Sequence, residues 1–354
     1  MNKQLKLATK KISYRTAINQ ALYQEMERDN SIFTYGIDVA DHKRIFGSTE
    51  GLLEKFGPER VFSTPLSEES LLGFGLGAAI SGLRPINVHI RVDFLLLAIN
   101  QLVNMVASYH YGSDGKIRVP LVIRAIIGKG WGQSYQHSKS LQSLFAHIPG
   151  LKVVMPTTPS DAKGLLISAI RDNNPVVVLE HRMLYDVEDE VSIKPIPTPL
   201  GKGQIIKKGK DITIIATSYC VVSAVKAAEV LEKQGISVEV VDPRSIFPLD
   251  EDLIVKSVEK TGHAIIADYD WTFCGFSAEL ATRIYEKLSR KLKSEVTRMG
   301  FAPTHCPSTR PLENEFYTDS IDLIRAVEKK LKLKKTDLSQ ETFYSYENQF
   351  RGPF

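Results

Sequence analysis

Two α/β domains, each built on a mainly parallel sheet, are the fold this chain predicts. A length of 354 residues exceeds what one average core organises. Strand-like apolar runs alternate with helical periodicities along most of the sequence. The alternation breaks once, from Val187 to about Gly203, where charged residues give way to Pro195, Pro197 and Pro199. That composition marks a linker. The expected boundaries are 1–186 for the first domain, 187–203 for the linker, 204–335 for the second domain and 336–354 for a tail.

The first domain opens with Ser13 to Asp29, where Ile18, Leu22 and Met26 recur at helical spacing. Ser31 to Gly36 reads as a strand ending at a glycine, and Gly51 to Gly57 as a short helix closed by a C-cap glycine. Leu71 to Ser81 is helical, Ile86 to Arg91 is β-branched and strand-like, and Phe94 to His110 is a long helical run. Val119 to Ile127 is a near-continuous apolar strand of the kind buried on both faces of a parallel sheet. Gly128 to Ser138 is a glycine-interrupted loop too polar for a core. Lys152 to Met155 is a strand, Ser160 caps a helix running to about Arg171, and Pro175 to Glu180 is another buried strand. After the linker, strands at 211–216, 237–241 and 263–267 alternate with helices at 221–234, 249–261 and 276–292. Ile321 to Leu333 is the last helix.

Composition narrows the function classes. A hydrophobic share of 43% and a charged share of 24% are those of an ordinary soluble globular protein. A net charge of +4 with no clustered basic face argues against nucleic acid. The one basic run, Lys329 to Lys335, reads as a solvated helix end. Cys220, Cys274 and Cys306 match no zinc or redox spacing, so free thiols in a reducing compartment are expected. Met1 to Lys11 has no apolar signal core, and no stretch approaches the roughly 20 apolar residues that span a bilayer. No membrane and a cytoplasmic location follow as expectations.

Chemistry concentrates at Phe62 to Ala79, where Glu68 and Glu69 stand at the mouth of an apolar, glycine-spaced segment. A poorly solvated carboxylate there suits proton traffic. A plain helix start, with Ser67 as cap and both glutamates favoured by the dipole, explains the same residues. No dinucleotide Gly-x-Gly-x-x-Gly, phosphate loop, His-Glu-x-x-His or Gly-x-Ser-x-Gly elbow is present.

Longer motifs are more specific. Thr64-Pro65-Leu66-Ser67-Glu68, Gly82-Leu83-Arg84-Pro85, Gln136-His137-Ser138, the run Phe145 to Val154 and the run Ser168 to Pro175 occur in that order. Together they resemble the beta subunit of the thiamine-diphosphate-dependent first component of 2-oxo-acid dehydrogenase complexes, a relative of transketolase. The likeness runs from about residue 12 to residue 328. It implies a pyrimidine-binding α/β domain followed by a transketolase C-terminal-like α/β domain. It also implies an alpha-type partner that holds the cofactor diphosphate and magnesium, since this chain has no Gly-Asp-Gly signature with its metal-binding Asn. The assembly so implied is an alpha-two beta-two heterotetramer that decarboxylates a 2-oxo acid and passes the acyl unit to a lipoyl group on an acyltransferase core.

Site residues carry over by motif. Glu68 matches the activating glutamate, which hydrogen-bonds the cofactor pyrimidine and favours its imino form. Phe94 matches the aromatic residue stacked on that ring, and His137 the histidine that stabilises or protonates the cofactor-bound intermediate. Glu69 has no counterpart role, and His147 reads as structural. A potassium site of the family maps to Leu121, Ala169, Ile170, Asp172 and Asn174, where an ion-free helix C-cap turn explains the sequence equally well.

Departures from the family cluster near these positions. One acid is missing in Gly36-Ile37-Asp38, His89-Ile90-Arg91 replaces uncharged residues, and Gly128 to Tyr135 is bulkier and more cationic than the usual glycines. Arg91 could grip an anionic substrate group bidentately, or form a buried pair with Asp93 or a partner acid. The altered cleft keeps a second activity open, in which a two-carbon unit passes to a sugar or another carbonyl acceptor. A non-catalytic scaffold for an alpha-like partner is the third reading.

Overall fold

The computed structural model describes residues 8–128 and 132–343. Lys129, Gly130 and Trp131 of the cationic loop, and the tail from 344 onward, lie outside the described residues. The chain forms two compact units, Met1–Ile127 with Leu144–Leu200, and Gly128–Ser143 with Gly201–Phe354. No helix among the described residues is long and apolar enough to cross a membrane.

The first unit begins with β1 (Thr9–Ser13), α1 (Tyr14–Arg28), β2 (Ile32–Gly36), α2 (Leu52–Phe56) and β3 (Val61–Ser63). Next come α3 (Glu68–Ile80), β4 (Arg84–His89), α4 (Val92–Leu95), α5 (Tyr109–Gly112) and β5 (Val122–Ile127). After α6 (Gln142–Ala146), whose first two residues belong to the second unit, follow β6 (Lys152–Val154), α7 (Pro159–Arg171), β7 (Val176–His181) and β8 (Glu188–Ser192). Its sheet runs β6-β7-β5-β4-β2-β3, all parallel. Every residue of β5 and β7 is buried, as their apolar runs predict. The charged residues inside those strands find each other: Arg124 Nε and Nη2 donate to the two Glu180 carboxylate oxygens at 2.6 and 2.9 Å. Bidentate pairing is what makes such burial tolerable.

Three expectations differ here. The helix from Phe94 to His110 is broken into α4, a tight turn at Leu96–Ala98, a wide π-helical turn at Gln101–Val106 and α5. Thr158, not Ser160, caps α7: its hydroxyl accepts from Asp161 N at 3.0 Å, with Pro159 at the first helical position. The acidic start of the expected linker is strand β8, paired antiparallel to β1, and residues to Leu200 group with the first unit.

The second unit contains β9 (Gln204–Lys207), β10 (Ile212–Ala216), α8 (Tyr219–Glu232), β11 (Val238–Asp242), β12 (Ser245–Phe247) and α9 (Glu251–Thr261). It continues with β13 (Ala264–Trp271), α10 (Phe276–Leu288), β14 (Thr297–Phe301), α11 (Arg310–Phe316) and α12 (Ser320–Leu331). Its sheet order is β14-β13-β10-β11-β9, parallel except at the β9 edge. Lys332, in the basic run, takes a left-handed C-cap conformation at φ +54°. The first part of the tail is bonded down, since Thr336 N donates to Glu328 and Glu341 pairs with Lys233.

Candidate active site

A parallel sheet delivers the chain to one edge at the end of every strand. In the first unit Gly36 of β2 stands in register with Ser63 of β3 and Val88 of β4. The segments bearing Glu68 and Arg91 to Phe94 therefore leave the same carboxyl edge. Helix α3 begins at Glu68 rather than at Leu71. Ser67 occupies the N-cap position but makes no side-chain cap; its hydroxyl donates to Leu66 O at 2.7 Å. The two glutamates differ in burial. Glu69 is exposed and accepts from Asn100 Nδ2 at 3.1 Å, whereas Glu68 is only 8% exposed. Among the described residues the Glu68 carboxylate has no hydrogen-bond or ion-pair partner.

Beneath α3 the end of β4 is unusually polar. Asn87 and His89 alternate on one face of the strand, both buried. Among the described residues, both ends of the Asn87 amide and the His89 Nε2 have no hydrogen-bond partner. Burial alone pushes the His89 imidazole down to about 4, so it is neutral. Helix α3 lies close on this face: Tyr35, in register with Asn87, donates its hydroxyl to Leu71 O at 2.8 Å. A Cβ on Gly75 would stand 2.2 Å from that hydroxyl. His89 is visible in the sequence as a departure, but Asn87 is not. A polar residue at alternate positions of an apolar strand was the available signal.

Arg91 is the N-cap residue of α4 and just 3% exposed, and its carbonyl accepts from Phe94 N at 3.2 Å. Phe94 is half-buried. His137 belongs to the second unit, half-buried after a tight turn at Ser134–Gln136. The potassium set gathers at the opposite, amino edge of the first sheet, around the start of β5 and the end of α7. Its oxygens are already engaged. Arg84 Nε and Nη2 donate to Ile170 O at 2.9 and 2.8 Å, and Lys152 pairs with the Asp172 carboxylate. Leu121 O accepts from Val176 N and Ala169 O from Asp172 N, while Asn174 N donates to Asp172. Two protein cations, Arg84 and Lys152, thus serve this turn.

The family description "Transketolase, pyrimidine binding domain" matches residues 10–188, and "Transketolase, C-terminal domain" matches residues 201–321. The pyruvate dehydrogenase E1 component subunit beta of Rickettsia bellii is 38% identical over 90% of this chain and 98% of its own length. The 2-oxoisovalerate dehydrogenase subunit beta of Bacillus subtilis is 39% identical over the same shares. The chain belongs to the beta-subunit family of 2-oxo-acid dehydrogenase first components. This beta subunit also resembles the beta subunit of the acetoin:2,6-dichlorophenolindophenol oxidoreductase of Cupriavidus necator, 38% identical over 91% of the chain and 98% of that protein. Among solved structures, a split-gene transketolase described as an inactive beta4 tetramer aligns with a TM-score of 0.73 at 24% identity. It covers 92% of this chain and 99% of that one, which shows the shared fold.

Proposed function

We propose that this beta subunit, joined to an alpha-type partner, activates thiamine diphosphate for decarboxylation of a 2-oxo acid and acyl transfer to a lipoyl group. The observation that carries the reading is Glu68, a buried carboxylate at the carboxyl edge of the sheet with no partner among the described residues. The residues present suit an aminopyrimidine: a lone carboxylate, the half-buried ring of Phe94, and unpartnered polar atoms of Asn87 and His89 nearby on β4. Once bound, thiamine diphosphate would supply a carbon nucleophile for the 2-oxo carbonyl and a cationic ring able to take up the electron pair released by decarboxylation.

Glu68 would hold one hydrogen bond to a pyrimidine nitrogen of that cofactor, a task suited to a carboxyl shielded from water. Phe94 offers a flat apolar face. The resemblance implies that His137 stabilises or protonates the cofactor-bound intermediate. Arg91, a departure from the family, would grip the anionic group of the substrate. Magnesium would be held by the partner. The exposed outer face of α3, with Phe74 half-exposed and open space above Gly77, is available to that partner.

The test is co-expression with an alpha-type subunit, addition of thiamine diphosphate and magnesium, and measurement of carbon dioxide release from pyruvate and branched-chain 2-oxo acids. Glu68→Gln should assemble normally yet lose about 10²- to 10⁴-fold in turnover. Glu69→Gln should leave turnover unchanged. Equal effects of the two, or no turnover on any acid with cofactor bound, would return the chain to a scaffold role. A second reading has its own support in the acetoin enzyme's similarity and the polar residues His89 and Arg91. In it a hydroxyketone or other carbonyl compound is donor or acceptor, and the same assay run with acetoin separates the two.

A further inference from the structure

The segment that carries His137 is tied to β13 by two carboxylates. Asp268 and Asp270 lie two positions apart on that strand and are both buried. Asp268 accepts from Gln142 Nε2 at 2.8 Å, Thr217 Oγ1 at 3.0 Å and Ser277 N at 3.1 Å. Gln142 is itself fully buried, and its amide also reaches Tyr269 O at 3.2 Å. Asp270 accepts from Ser143 Oγ at 3.1 Å, and Ser143 in turn accepts from Phe276 N at 2.8 Å. At the other end of the segment, Ser134 Oγ donates to Cys306 O at 3.3 Å. Ser134 and Leu141, on either side of His137, hold left-handed backbone at φ +56° and +65°. For a leucine that conformation costs about 1–2 kcal/mol, and surrounding contacts must offset it.

We propose that Asp268 is a positioning residue which, through Gln142, fixes the His137 segment in its working conformation. The inference rests on the role given above to His137. Two carboxylates taken out of water and held by hydrogen bonds alone are a poor choice for stability, because well-packed apolar residues often do better. They do fix orientation: the Gln142 amide nitrogen and the Ser143 hydroxyl, from consecutive residues, are both bonded to them. The amino end of α10 adds two backbone donors, Phe276 N and Ser277 N, which set the height of the anchor above β13.

The test uses the full chain assembled with its alpha-type partner and reads hydrogen exchange over residues 132–143 alongside kcat and KM. Gln142→Glu sets carboxylate against carboxylate. Exchange in the segment should rise about tenfold and kcat fall about tenfold, the factor that roughly 1.4 kcal/mol gives, with KM little changed. Adding Asp268→Asn to that chain supplies an amide donor in place of the lost one, and both readouts should return toward wild type. Ser143→Ala, a milder change that keeps the chain folded should Gln142→Glu fail, should loosen the segment to a smaller degree. Unchanged exchange, an absent rescue, or faster exchange with kcat intact would each overturn the proposal. Inactivity of the wild-type assembly on every substrate strikes the proposed function instead; exchange and its rescue then decide the anchor alone.

Discussion

The ends of β4 and β13 are both buried and polar, and they are finished in opposite ways. At β4 the Asn87 amide and His89 Nε2 have no hydrogen-bond partner among the described residues. At β13 the Asp268 carboxylate is surrounded by donors. A folded chain leaves few buried polar atoms unmatched, so the two ends serve different purposes. At the β13 end the two carboxylates find donors and hold a loop, although Gln142 Oε1 and Ser277 Oγ have no partner among the described residues. The β4 end is left incomplete in the isolated chain, which suits an edge that takes a ligand.

The largest expected effect breaks the symmetry directly. Asp268→Ala strands three donors at once and should cost about 5 kcal/mol in urea unfolding, at 1–3 kcal/mol for each orphaned group. Asn87→Val, an edit of the same kind at β4, should leave stability unchanged or higher while weakening cofactor binding. If both lower stability alike, the contrast between the ends is false.

Acidity sharpens the contrast, because the two ends respond to pH with opposite sign. Burial, then the neighbouring charge of Asp268, raises Asp270 to about 7. Its contribution is fully present below the unfolded value near 4 and is lost as pH rises through about 7, an upper bound of about 4 kcal/mol. Asp270→Asn should flatten that decline. His89 runs the other way: its contribution is present above the unfolded value near 6.5 and is lost as pH falls through about 4, for about 3 kcal/mol. His89→Phe should remove that acid limb from the melting-temperature profile. Smallest of all is Ser67→Ala. Because Ser67 makes no cap to α3, melting should shift by less than the 1 kcal/mol typical of a lost N-cap.

Much of this was legible in the sequence. Apolar runs announce β5 and β7 because a strand buried on both faces has no polar face to keep. The ordered motifs name Glu68, Phe94 and His137, and the first two follow strand ends at the carboxyl edge. What escaped was pairing at a distance. Nothing local says that Arg124 meets Glu180, that Arg84 and Lys152 attend the turn after α7, or that Gln142 reaches Asp268. Ser67 misled for a related reason: its type and position suit a cap, but its hydroxyl is taken by Leu66 O. The broken run after Phe94 escaped because its buried positions keep helical spacing across Val92, Leu95, Ala98, Leu102 and Val106 while the hydrogen bonding changes.

The close seat of α3 on Tyr35 bears on how relatives of this chain can diverge. A methyl group at position 75 would collide with the tyrosine hydroxyl, whereas the ring carbon behind it lies at 3.4 Å, a distance ordinary contact tolerates. Alanine at 75 is thus opposed while Tyr35 is retained; once that position becomes phenylalanine, only Leu121 Cδ1, at 3.2 Å, must still give by a few tenths of an ångström. The two positions should substitute as a couple, with the loss of the hydroxyl coming first.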